Sequence, residues 1–149
     1  MIRPLSQDDL PELLKLEAAC FSSCWSEAQL SRSINHARYC SFGIYKHRLI
    51  GFALFSTLLD EAELQQIAID PAVQREGQAF KLLTAAIEAL QQQGIARIVL
   101  ELRASNLAAL ALYRKLGFTQ DSIRKAYYPA EANQGGREDA ILMSYSSGE

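Results

Sequence analysis

A chain of 149 residues, 49% apolar and 21% charged, has the size and composition of one globular domain spanning residues 1–149, with a core large enough to need neither disulfides nor a structural metal. Seventeen acidic against fifteen basic side chains leave a net charge of −2 without a long block of like charge, which excludes a non-specific nucleic-acid coat. Cys20, Cys24 and Cys40 form no C-x-x-C pair, and the two histidines, His36 and His47, complete no zinc set, so a reduced protein without metal is expected.

The amino terminus lacks an apolar signal core, and no apolar run approaches the roughly 20 residues that span a bilayer, so a cytoplasmic protein is expected. Ser6 with Asp9 resembles a capping box and Leu10, Leu13, Leu14 and Phe21 recur on one face, predicting a helix over about Gln7 to Cys20. Ser26 with Gln29 predicts a short second helix. Tyr39 to Tyr45, Leu49 to Leu58 and Glu61 to Ile69 then read as three consecutive antiparallel strands, ended by Asp70-Pro71. Phe80, Leu83, Ile87 and Leu90 mark a helix from about Gln78 to Gln93, Arg97 to Leu102 a strand, and Leu107 to Lys115 a helix capped by Asn106 and ended by Gly117. Thr119 to Tyr127 and Ala140 to Tyr145 bracket a turn signal at Asn133-Gln134-Gly135-Gly136. The order predicts an α+β domain: a mixed, mostly antiparallel sheet with one helical crossover.

Three stretches carry chemistry. From Arg75 to Phe80 the backbone N–H groups of a helix start are free, Gly77 admits close approach, and the helix dipole adds positive potential; together these favour a pyrophosphate, with Glu76 opposing it. An ordinary crossover with a polar cap would read the same way, and the dinucleotide and P-loop glycine patterns are absent. Glu101 interrupts the apolar run Ile98 to Leu102, which suits a general base in a partly dry site and equally a solvent-facing residue of an edge strand. Asn106 and Tyr113 stand two helical turns apart and share a face, so both can serve one ligand, or act simply as a cap and a packing residue.

Gln74-x-x-Gly77-x-Ala79, Glu101-Leu102-Arg103-Ala104-Ser105-Asn106, Ala111-Leu112-Tyr113 with Leu116-Gly117-Phe118, Tyr127-Tyr128-Pro129 and Gly136-Arg137-Glu138-Asp139-Ala140 occur in an order that resembles the GNAT superfamily of N-acetyltransferases, and within it the bacterial ribosomal-protein-alanine acetyltransferases. The likeness is densest from Asp60 to Met143, with Trp25-Ser26 as its main echo before that. It implies a GNAT fold that binds acetyl-CoA in a splay between two parallel strands. The pyrophosphate would lie on Gln74, Arg75, Glu76, Gly77, Gln78, Ala79 and Phe80, and the pantetheine arm along Ile67, Ala68 and Ile69 through their backbone. Asn106 would bond the cofactor, Glu101 would act as base and Tyr113 as acid.

The acceptor implied by the same resemblance is the N-terminal alanine of a ribosomal protein, small-subunit protein eighteen. A broader transferase acting on lysines or small amines, and a non-catalytic acetyl-CoA-binding module, are the alternatives. Trp25, Tyr39, Tyr127, Tyr128 and Arg137 are candidates to wall a peptide groove, which Asp60, Glu61 and Glu63 would bias toward a positive amino terminus. A cysteine nucleophile at Cys20 or Cys24 has no histidine base in a recognisable motif. Cys24 stands where the resembled enzymes usually have proline, and the loop Ala130 to Gly135 is longer than theirs.

Overall fold

In the computed structural model, which describes residues 1–129 and 137–146, the chain runs through β1 (Ile2–Pro4), a 3-10 turn (Gln7–Asp9), α1 (Leu10–Cys20), α2 (Glu27–Asn35), β2 (Tyr39–Tyr45), β3 (Leu49–Leu58) and β4 (Glu61–Ile69). It continues through a 3-10 turn (Pro71–Val73), α3 (Gln78–Gln92), β5 (Arg97–Arg103), α4 (Leu107–Leu116), β6 (Thr119–Pro129) and β7 (Arg137–Ser146). The turn expected at Asn133 to Gly136 and the loop Ala130 to Gly135 lie outside the described residues.

The strands make one seven-stranded sheet in the order β1-β2-β3-β4-β5-β7-β6, antiparallel everywhere except between β4 and β5. The single parallel pair follows from the α3 crossover, since strands joined through a helix return in the same direction. This is the mixed, mostly antiparallel sheet that the resemblance implies.

Both faces of the sheet are covered. Leu10, Leu13, Leu16 and Leu30 of α1 and α2 bury Phe52 and Leu54 of β3, while Leu82, Leu83, Ala86, Ile87 and Leu90 of α3 bury Ala53 and Phe55 of the same strand. A strand covered on both faces reads as a continuous apolar run, as Leu49 to Phe55 does. Leu82 is fully buried in the α3 core. Leu82→Ala is expected to lower stability by about 2–5 kcal/mol, read as a lower urea midpoint with an unchanged slope.

The helix ends are made locally. Gln29 N–H donates to Ser26 Oγ at 3.1 Å and Ser26 N–H donates to Gln29 Oε1 at 2.7 Å, a reciprocal cap that starts α2. Asn106 Oδ1 accepts from Ala109 N–H at 3.2 Å at the start of α4. Gly117 ends that helix with φ +106, a left-handed conformation that glycine adopts without a Cβ penalty. The first helix departs from expectation: Ser6 and Asp9 close a 3-10 turn, and α1 begins only at Leu10, with Pro11 in its first turn. Among the described residues, no helix is long and apolar enough to cross a membrane, and no group of three or more His, Cys, Asp or Glu is placed to hold a metal.

Candidate active site

β4 and β5 pair only at Glu61↔Arg97, Ala62↔Ile98 and Glu63↔Val99, although β4 continues to Ile69 and β5 to Arg103. Gln65 has no partner where the β3 register steps from Leu54↔Gln66 to Phe55↔Leu64. A bulge adds a residue and bends its strand. The strands part there, and among the described residues the β5-facing main chain of Leu64 to Ile69 has no strand partner.

Two cavities meet at this split and share Ile67, Asn106, Ala109 and Tyr113. The larger, about 590 Å³, runs from Ile67, Ala68 and Ile69 to the start of α3, where Gln74, Arg75, Gly77, Gln78, Ala79 and Phe80 line it; Glu76 does not. Arg75 and Gly77 both take left-handed backbone, φ 67 and φ 79. For Gly77 this costs nothing, and a Cβ there would meet open space. For Arg75 it costs about 1–2 kcal/mol, strain of the kind stored at binding sites. The loop leaves the first-turn N–H groups of α3 open to the cavity, with Arg75 and Lys115 as cations on its wall. These donors suit a pyrophosphate, and the free edge of β4 suits an amide-bearing arm.

Gln74 lines that cavity and also braces the loop. Its Nε2 donates to the Ile69 carbonyl at 3.0 Å, tying the loop to the end of β4. The Cys20 thiol donates to the same carbonyl at 3.4 Å, and burial pushes that thiol up, away from a nucleophilic thiolate.

The smaller cavity, about 240 Å³, holds Glu101, Gln66, Tyr128 and Phe21 on the other side of the shared residues. Alternation along β5 buries Ile98, Leu100 and Leu102 and turns Glu101 to the opposite face. The Tyr128 hydroxyl donates to Glu101 Oε2 at 2.8 Å, and Arg124 lies 3.9 Å from Oε1. Burial, with Glu101 beside it, pushes the Tyr128 phenol well above its ordinary value, so that hydroxyl keeps its proton.

The reach of Tyr128 depends on a kink. β6 loses register between Arg124 and Tyr128, and Ala126 there takes φ 50. Asp139 Oδ1 accepts from Ala126 N–H at 2.9 Å and so holds the bulge from β7. Arg103 lies over the Tyr128 ring at 4.6 Å and donates to Glu138 at 3.0 Å and to the Pro129 carbonyl at 2.8 Å. Hydrogen bonds from Ser105, then the Arg103 guanidinium, hold Glu138 below the usual carboxylate range. The acidic pair of the Arg137-Glu138-Asp139 motif thus braces the wall around Glu101.

Tyr113 is 6% exposed, faces both cavities, and has no hydrogen-bond partner for its hydroxyl among the described residues. Burial pushes it up to about 12. Of the groove candidates, only Tyr128 lines either cavity. Tyr127 packs edge-on against Tyr128 at 5.2 Å, and Arg137 donates to the Tyr127 carbonyl at 3.2 Å. Trp25 packs against the α1 and α2 core. Tyr39 pairs with Ser56 on the far side of β3 and stands edge-on to His36, apart from both cavities.

A carboxylate in one cavity and a tyrosine on the wall it shares with the next, beside a helix start suited to anions, fit an acyltransferase that takes its acyl group from a coenzyme A thioester. The chain belongs to the GNAT acetyltransferase family, whose sequence model matches residues 10–118, and it is an N-acetyltransferase with acetyl-CoA as donor. It is 41% identical over 144 residues to the ribosomal protein bS18-alanine N-acetyltransferase of Escherichia coli K12, covering 96% of this chain and 95% of that protein. The enzyme of the same name from Haemophilus ducreyi is 41% identical over 145 residues, covering 97% of this chain and 98% of that protein. The crystal structure of the Escherichia coli ribosomal-protein-S18-alanine N-acetyltransferase matches with a TM-score of 0.88 at 39% identity, covering 100% of this chain and 96% of that chain.

Proposed function

We propose that this enzyme transfers acetyl from acetyl-CoA to the N-terminal alanine α-amine of ribosomal protein bS18. The observation that carries the reaction is the meeting of two cavities at Tyr113 and Ile67, with Glu101 in one and the α3 start in the other. Identity of 41% along nearly the whole chain to transferases named for bS18 supports the acceptor.

The thioester supplies an activated acetyl group. Arg75, Lys115 and the first-turn N–H groups of α3 hold the pyrophosphate, and the edge of Leu64 to Ala68 that pairs with no strand holds the arm and polarises the thioester carbonyl. Asn106 caps α4 and reaches the cofactor from the shared wall. Glu101, through a water, removes the proton from the α-amine, whose ordinary pKa of about 7.7–8.0 keeps much of it as ammonium near neutrality. Tyr128 holds the Glu101 carboxylate in place.

Tyr113 acts toward the departing sulfur. At about 12, its hydroxyl keeps its proton at neutral pH, the state a donor needs. Complete transfer to a thiolate of ordinary pKa near 8.5 would run uphill by on the order of 5 kcal/mol, so Tyr113 contributes a charge-assisted hydrogen bond to the sulfur as negative charge gathers there.

Mass spectrometry of a peptide that begins with alanine and carries an internal lysine, incubated with enzyme and acetyl-CoA, tests the reading. Acetyl on the α-amine alone is expected. Acetyl on the lysine alone would overturn the acceptor while leaving the chemistry, and no acetyl on any amine would favour a binding module.

A further inference from the structure

Between Arg124 and Tyr128, β6 carries two more residues than the stretch of β7 it faces: Arg124 stands opposite Ala140 and Tyr128 opposite Glu138, so four steps along one strand match two along the other. In unbroken register Tyr128 would lie two positions further along β7, about 7 Å away from Leu142 and from Glu101, which pairs with Leu142. An even excess keeps the side chain on its face of the sheet, because side chains alternate with a period of two. Arg124 and Tyr128 accordingly both approach Glu101, at 3.9 Å and 2.8 Å. The bulge draws the phenol back toward the carboxylate without turning it over.

Burial does not hold this bend. Every residue of β6 except Tyr128 is exposed, and Ala126 takes φ 50, which alanine adopts only at a cost. Side chains of β7 meet the bent main chain instead: Asp139 Oδ1 accepts from Ala126 N–H at 2.9 Å, and Arg137 donates to the Tyr127 carbonyl at 3.2 Å. This part of β7 is tied in turn to the residues that follow β5, since the Asp139 carbonyl accepts from Ala104 N–H at 3.0 Å and Glu138 Oε1 from Ser105 N–H at 3.1 Å. The bend is thus referenced to the strand that carries Glu101. Lys125 lies 3.9 Å from Asp139 Oδ2 but is 82% exposed, so water screens that pair and Asp139 serves as an acceptor more than as a charge.

We propose that Asp139 is a positioning residue of the transfer: through the Ala126 N–H it holds β6 in a strained bend and so keeps the Tyr128 hydroxyl on the Glu101 carboxylate. The proposal rests on the reading of Glu101 as base. Without the Asp139 oxygen, Ala126 is free to leave the left-handed region and Glu101 loses its donor.

Initial rates of thiol release, on the peptide that mass spectrometry shows to be acetylated, test the chain of contacts. Asp139→Ala is expected to lower kcat about tenfold with the KM for acetyl-CoA within twofold, since what Glu101 loses is one hydrogen bond to a charged group. Asp139→Asn keeps an acceptor oxygen and is expected to stay within twofold of wild type. Glycine takes the bend without a Cβ penalty, so Ala126→Gly added to Asp139→Ala is expected to bring kcat back to within threefold of wild type. Tyr128→Phe is expected to show a loss like that of Asp139→Ala, and the two together less than twofold more, because both remove the same bond.

A second readout does not depend on turnover. Burial, with Glu101 beside it, holds the Tyr128 phenol well above its ordinary value. Tyrosinate absorbance at pH 11 is expected to show one more ionised tyrosine in Asp139→Ala than in wild type, and no such gain once Tyr128→Phe is added. Losses that multiply in the Asp139 and Tyr128 pair, no recovery with Ala126→Gly, or an unchanged tyrosinate count would each overturn the proposal. A Glu101→Gln enzyme with wild-type turnover would remove the base reading instead, and the tyrosinate count would still decide whether Asp139 sets Tyr128.

Discussion

Glu101→Gln is expected to lower kcat by about 10²–10⁴-fold at neutral pH, with the KM values for acetyl-CoA and peptide changed little. The amide keeps the volume of the carboxylate and still offers an oxygen to the Tyr128 hydroxyl, whose 2.8 Å bond holds the side chain over the cavity. What it loses is the ability to take the ammonium proton. The amine can shed that proton to solvent instead, and its unprotonated fraction grows as pH rises through about 7.7–8.0. The deficit should therefore narrow by roughly tenfold per pH unit below that range and level off above it. Initial rates of thiol release across pH 6 to 10, on wild type and variant side by side, read this directly. A variant that turns over at the wild-type rate at pH 6.5 would remove Glu101 from the role of base.

Most of the framework was legible because it is written in short-range pattern. The apolar run Leu49 to Leu58 and the reciprocal Ser26 and Gln29 signal each depend on neighbours a few residues away; β3 is found with the expected bounds, and the expected short helix α2 starts directly after Ser26. β1 escaped a specific placement because three residues carry too little periodicity, and it exists only through pairing of Ile2 to Pro4 with β2. The first turn of α1 was misread because Asp9 does two things: it closes on Ser6 N–H at 2.8 Å, as a cap should, and it pairs with Arg3 at 3.2 Å, which holds Gln7 to Asp9 in a tighter 3-10 turn.

The site divides along the same line. The α3 start and Glu101 announce themselves locally, one by Gly77 after a strand, the other by a charge in an apolar run. The neighbours that make Glu101 usable come from far along the chain. Tyr128 reaches it across 27 residues through a backbone kink at Ala126, and only the fold reveals that Asp139 holds that kink. Gln66, which lines the Glu101 cavity, and Glu17, whose Oε2 accepts from Gln66 Nε2 at 2.9 Å, looked like an ordinary strand residue and an ordinary helix residue, because the contact between them spans 49 positions. The one available signal was the occurrence of Glu17 among the buried apolar positions of α1, where a carboxylate has to have a partner.

Tyr113→Phe is expected to lower kcat by about 10- to 150-fold, less than the loss at Glu101, because a hydrogen bond to a charged atom contributes about 1.5–3 kcal/mol and the complete proton transfer is uphill. Stability should hold or rise slightly: the ring packs with Phe118 at 5.7 Å, and the hydroxyl has no partner among the described residues to lose. The pH dependence separates this residue from Glu101. A phenol pushed up to about 12 stays protonated through the whole range in which the enzyme can be assayed, so its contribution does not titrate there. The ratio of wild-type to Tyr113→Phe rates should accordingly stay flat from pH 6 to 10, while the Glu101→Gln ratio falls up to about pH 8 and then levels off. A Tyr113→Phe ratio that declines in parallel with the Glu101→Gln ratio would place the hydroxyl on the amine side of the split, with the base, and leave the departing sulfur without a donor from this chain.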